Sequence, residues 1–110
     1  MNMRESIALI VRRYLMNLRQ LDMPVSYGVV FGSQVRADAG QWSDIDLLVV
    51  SPRFDEKYQR EDINLLWRVA ARTDSRIEPI AVGQQQFLTD DSSAIIEIAR
   101  REGEIIPLAE

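Results

Sequence analysis

The segment Asp44-Ile45-Asp46-Leu47-Leu48-Val49-Val50 constrains this chain more than any other. It is rich in β-formers and is closed by Ser51-Pro52, so it reads as a strand. Side chains alternate along a strand. Leu48 and Val50 therefore line one face, and Ile45, Leu47 and Val49 the other. A strand apolar on both faces has to be covered on both, which requires a sheet flanked by helices. Asp44 and Asp46, two positions apart, share one face at the mouth of this strand. Like charges so close repel, and a cation held between the two carboxylates, or a pair of cations bridged by them, would offset that repulsion.

The neighbouring segments supply the cover. Ile7, Ile10, Val11, Tyr14, Leu15, Leu18 and Leu21 recur at three or four residues, which predicts an amphipathic helix over residues 4–21, ended by Met23-Pro24. Tyr27 to Phe31 reads as a buried strand, stopped by Gly32-Ser33. Residues 33–38 suit one or two helical turns, 39–41 a loop and 53–59 a loop. A second helix over 60–72 carries Ile63, Leu66, Trp67 and Ala70 inward. Ile77 to Val82 reads as a third strand, and Pro79 within it marks an edge or a bulge. Asp90, Asp91 or Ser92 could cap a last helix running to Arg101, with Ile95, Ile96, Ile98 and Ala99 inward and Gly103 at its end. Glu104 to Leu108 suits a final short strand. The order predicts an α/β domain with a small mixed sheet and flanking helices.

Composition narrows the chemistry. The 110 residues are the length of one domain, read as residues 1–110. A net charge of −4 argues against a surface built for nucleic-acid backbone. The chain has no cysteine and no histidine, so thiolate or imidazole metal sites and a histidine base are excluded. Metal chemistry then rests on carboxylates and on hard cations such as Mg²⁺ or Mn²⁺. No apolar run approaches the roughly 18 residues of a membrane span. Arg4, Glu5, Arg12 and Arg13 break the N-terminal apolar pattern, so no signal peptide is read and a cytoplasmic location is expected.

Gly32 and Ser33 fall at the end of the first strand and the start of a turn. Glycine admits close approach to the backbone. A serine hydroxyl and the unpaired N–H groups of a turn suit phosphate oxygens. If the first two strands run antiparallel, these donors face Asp44 and Asp46 across a small cleft. Arg36 is a candidate phosphate contact, with an exposed surface arginine as the plain alternative. Trp42, in the loop before Ser43-Asp44, is a candidate cover for the cleft or a partner contact. Trp67 reads as core, and Asp38 and Asp74 as ordinary solvated residues. Each motif alone has a simpler reading, Gly32-Ser33 as a capped turn and the acids as a solvated strand end. Their spacing in front of a buried strand favours a site.

Gly-Ser, ten residues, then Asp-Ile-Asp followed by Leu-Leu-Val resembles the signature of the polymerase-β nucleotidyltransferases. The short form resembles their minimal nucleotidyltransferases, the antitoxins of HEPN/MNT pairs. The likeness is strong over residues 26–51 and extends to the end of the chain by element order. It implies the polymerase-β-like fold, with Gly32 and Ser33 on the triphosphate of ATP or another NTP. It implies that Asp44 and Asp46 ligate two Mg²⁺ ions, with Glu78 as the third carboxylate where many relatives have aspartate. Two other positions depart from the pattern. Arg36-Ala37 stands where Arg-Gly is frequent, and Gln34 stands where an arginine often adds a phosphate contact.

The resemblance further implies transfer of a nucleoside monophosphate, AMP first among them, to a hydroxyl. In a two-metal mechanism Glu78 serves the ion that activates this hydroxyl or takes its proton. Little length is left for an acceptor domain, so the acceptor is expected on a partner, a HEPN-type RNase toxin, in a homo- or hetero-oligomer. Two rivals remain: an antitoxin acting by contact alone, and a small-molecule nucleotidyltransferase. Presence of all three acids with Gly-Ser favours activity over the first, and the absence of a second domain disfavours the second.

Overall fold

The computed structural model describes residues 5–36, 40, 42–56 and 59–108. Expectations placed on Arg4, residues 37–39, Gln41 and residues 57–58 lie outside them. Helix α1 (Glu5–Gln20) buries Ile7, Val11, Tyr14, Leu15 and Leu18, as its periodicity requires. Leu21 lies past the helix and is exposed. The helix ends where Asp22 takes a left-handed φ of 68°. There the Asp22 N–H donates to Arg19 O and the Met23 N–H to Leu18 O, which satisfies the last carbonyls. The Tyr14 hydroxyl donates to Leu66 O at 2.9 Å and so ties α1 to the second helix. Burial pushes this phenol far above its ordinary range.

Four strands form one mixed sheet in the order β3-β2-β1-β4. Strand β1 (Tyr27–Phe31) pairs antiparallel with β2 (Ile45–Ser51) and with β4 (Glu104–Pro107). Strand β3 (Ile77–Gly83) pairs parallel with β2, and helix α2 (Arg60–Thr73) makes the crossover that parallel strands need. Pro79 sits on β3 without a bulge, as an edge strand permits.

Both faces of β2 are covered. Ile45, Leu47 and Val49 pack in one core with residues of α1 and α2, among them Leu15, Leu66 and Val69. Leu48 and Val50 pack in the other with Val29, Phe31, Phe87, Ile96 and Ala99. The second core is closed by α3 (Gln84–Thr89) and α4 (Ala94–Glu102).

Several details differ from the sequence expectation. β2 starts at Ile45, so Asp44 lies just outside the ladder. Within 53–59, Pro52–Asp55 form a 3₁₀ turn. Helix α3 was not expected, since six residues are too few to show a period. It is held by Asp55, whose carboxylate accepts the N–H groups of Gln85 at 2.9 Å and of Gln86 at 3.1 Å. Gly83 makes room for that contact, since a Cβ there would overlap Asp55 Oδ1.

The cap of α4 is Ser93, whose hydroxyl accepts from Ile96 N at 3.2 Å, and Asp90 instead holds Ser92. Only Ile96 and Ala99 of α4 are buried, while Ile95 and Ile98 are exposed, because a short helix lying on a sheet touches it along one line. Trp67 is half-exposed and not core, since Leu66, Val69 and Ala70 occupy the contact line of α2. Asp74 is not simply solvated. Its carboxylate takes Arg76 Nε at 3.0 Å and Nη2 at 2.9 Å, and that pairing holds it below the usual carboxylate range.

Candidate active site

The register of the sheet sets the site. Phe31 lies opposite Asp46, and Asp46 opposite Glu78. Residues directly opposite share a face, so Asp46 and Glu78 present their carboxylates side by side at one end of the sheet. Gly32 follows Phe31 at once and opens a 3₁₀ turn, Gly32–Gln34. The antiparallel return of β2 thus brings the Gly-Ser turn to the acids, as the sequence required.

Gly32 has φ of +77°, a left-handed value that L side chains adopt only at a cost. A Cβ on Gly32 would also overlap Asp46 Oδ2. The glycine is therefore fixed twice, by its backbone and by the carboxylate against it. Ser33 is half-buried within the same turn, whose first N–H groups have no acceptor inside the helix.

The acids perturb one another. Asp46 is held above the ordinary carboxylate range, first by desolvation and then by the charge of Asp44, with Arg36 acting in the opposite direction. Glu78 is also raised, first by desolvation, then by the charge of Asp44 and a side-chain hydrogen bond to it, and then by Asp46. Arg36 is exposed and close enough to Asp46 to act on its charge. Trp42 is 80% exposed.

Hard oxygen donors at one end of the sheet, where desolvation and the charge of Asp44 push Asp46 and Glu78 upward, fit a divalent cation by donor type and charge. Among the described residues no three His, Cys, Asp or Glu side chains form a ready metal cluster. The three carboxylates thus lie within electrostatic reach of one another without converging on a point.

One residue of the site has a role that the sequence did not show. Gln34 is only 4% exposed and does not face the cleft as a substitute for a phosphate-binding arginine. Its Nε2 donates to Ser43 O at 3.1 Å and to Asp44 O at 3.2 Å. No periodicity signals this, because the bonds join positions nine and ten apart in the sequence.

Residues 11–102 match the nucleotidyltransferase domain family. The chain belongs to that family. A proposed nucleotidyltransferase from Sulfolobus solfataricus shares the fold of this nucleotidyltransferase domain, with a TM-score of 0.58 at 14% identity. The match covers 89% of this chain and 77% of that one. No curated protein sequence matches. Nucleotidyltransferase domains use a nucleoside triphosphate with a divalent metal, in keeping with a site built from Gly-Ser and carboxylates alone. No helix among the described residues is long and apolar enough to cross a membrane.

Proposed function

We propose that this domain transfers a nucleoside monophosphate, AMP from ATP, to a hydroxyl of a partner protein, a HEPN-type toxin, releasing pyrophosphate, and so acts as its antitoxin. The observation that carries the transferase reading is that Asp46 and Glu78 lie opposite each other on β2 and β3 while Gly32, directly after β1, presses against the Asp46 carboxylate. Support for the partner is the resemblance of residues 26–51 to minimal nucleotidyltransferases, together with an acidic balance that does not suit a nucleic-acid acceptor.

Asp44, Asp46 and Glu78 would hold two Mg²⁺ ions. Bound there, the ions supply charge neutralisation at the phosphates and acidify the acceptor hydroxyl. The Ser33 hydroxyl and the N–H groups of its turn bind phosphate oxygens, and Gly32 keeps the backbone open to them. Arg36 adds positive charge beside the acids. Glu78, opposite Asp46 on β3, would ligate the ion that activates the attacking hydroxyl or take its proton. A contact-only antitoxin is the second reading, favoured by the absence of a ready three-carboxylate cluster among the described residues.

ATP titrated calorimetrically with and without Mg²⁺ tests the site: affinity should rise with Mg²⁺, and equal affinity would sink the metal-bridged reading. Intact-mass spectrometry of a HEPN partner after incubation with ATP and Mg²⁺ tests the acceptor. A gain of one or more nucleoside monophosphates is expected. An unmodified partner that still binds and loses RNase activity would establish the contact-only reading. A partner that neither binds nor changes mass would redirect the search to small-molecule acceptors.

A further inference from the structure

Asp44 carries a site carboxylate yet stands outside the β2 ladder, so something other than strand pairing must aim it. The peptide group joining Asp44 to Ile45 is held at both ends. Its carbonyl accepts Gln34 Nε2 at 3.2 Å, and its N–H donates to Arg76 O at 2.8 Å. Gln34 also takes the preceding carbonyl, Ser43 O, with the same nitrogen. The far end is itself braced: Arg76 is bound through its N–H and guanidinium to Asp74, whose own N–H donates to Ala70 O at the end of α2. Both peptides flanking Asp44 are thus held, Ser43–Asp44 by its carbonyl and Asp44–Ile45 by both its groups, and because only φ and ψ are soft at each residue, holding both planes fixes the direction of the Asp44 Cα–Cβ bond.

We infer that Gln34 is a positioning residue that aims the Asp44 carboxylate by clamping the Asp44–Ile45 peptide against the start of β3. It thereby locks the phosphate-facing Gly32–Gln34 turn and the acid-bearing loop into one unit. This rests on the transferase reading for the ligand but on the hydrogen bonds alone for the clamp. Gln34 itself touches neither nucleotide nor metal. Its side chain is buried under the loop, and its donors are spent on two backbone carbonyls. Groups that orient a ligand from behind are worth about ten- to a hundredfold in metal affinity.

The test compares the full chain with Gln34→Met, which keeps the length and removes both donors, and with Gln34→Glu, which keeps the shape but sets a carboxylate against two carbonyl oxygens. Three readouts are taken: exchange of the Ile45 amide without ligand, binding of Mn²⁺ alone by calorimetry, and steady-state transfer over a range of Mg²⁺. The Met variant should exchange Ile45 faster, bind Mn²⁺ about tenfold more weakly, and need correspondingly more Mg²⁺. Its KM for the nucleotide at saturating metal should stay near that of the parent. The Glu variant should be worse than the Met variant on each count. A lowered melting temperature with unchanged Mn²⁺ affinity and Ile45 exchange would reduce Gln34 to a packing role and overturn the inference. Failure of the parent chain itself to bind Mn²⁺ would instead sink the transferase reading, while Ile45 exchange still decides whether the clamp exists.

Discussion

Gly32→Ala separates two costs that the structure places on one atom. The first is backbone strain: at φ of +77° an L residue costs about 1–2 kcal/mol. The second is steric, since the new methyl overlaps Asp46 Oδ2, and turning that carboxylate off its rotamer costs about 0.5–1.5 kcal/mol. Together they predict a loss of about 1.5–3.5 kcal/mol in the metal-free protein, or roughly 6–15 °C in Tm for a domain of this size. Transfer should be lost as well, because the displaced carboxylate belongs to the site. The steric part depends on Asp46, so a double-mutant cycle isolates it. In an Asp46→Ala background, Gly32→Ala should cost only the strain, about 1–2 kcal/mol. Urea melts of the four proteins measure all the terms. An equal cost in both backgrounds would refute the pressed carboxylate, and a cost below about 0.5 kcal/mol in the parent would refute the left-handed turn.

Other outcomes follow from the same packing. Asp46→Asn and Glu78→Gln should abolish transfer while leaving the metal-free Tm unchanged or raised by up to roughly 3 °C, since each removes a charge from a crowded, partly screened site; a large fall in Tm would show that the acids support the fold. Folded Asp46 and Glu78 keep their protons to higher pH than in the unfolded chain, so metal-free stability should decline as pH rises from the ordinary carboxylate range through their raised values. Mg²⁺ should flatten that decline in melts across pH, and a decline of the same slope with Mg²⁺ would count against a metal at these groups. Asp55→Ala strips two backbone N–H groups of α3 of their acceptor and should cost about 1–2 kcal/mol, seen as early exchange of the Gln85 and Gln86 amides. Tyr14→Phe deletes the buried bond to Leu66 O and should cost about 1 kcal/mol in urea melts without altering metal affinity.

Much of this protein follows from local rules. The two-faced apolar run after Asp46 forced a covered central strand, and the spacing of Val11, Leu15 and Leu18 forced α1. With no histidine or cysteine, the metal chemistry had only carboxylates to use. Gly32 and Asp46 stood out as candidates because a glycine at a strand end and period-two alternation carry physical meaning within a few residues, whereas Glu78 came only from the family resemblance. What pattern could not decide was register and orientation. Pairing of Asp46 with Glu78 depends on a parallel crossover through α2, which no local signal encodes. Trp67, Ile95 and Ile98 look apolar and inward in sequence, yet they lie outside the contact lines that the packed helices leave. Gln34 shows the limit most plainly. In the chain it reads as an arginine missing from a phosphate site, and only the fold, by returning Ser43 and Asp44 over it, turns its amide into the group that holds them. Hydrogen bonds between segments ten residues apart have no period, so they exist for the reader only once the strands are paired.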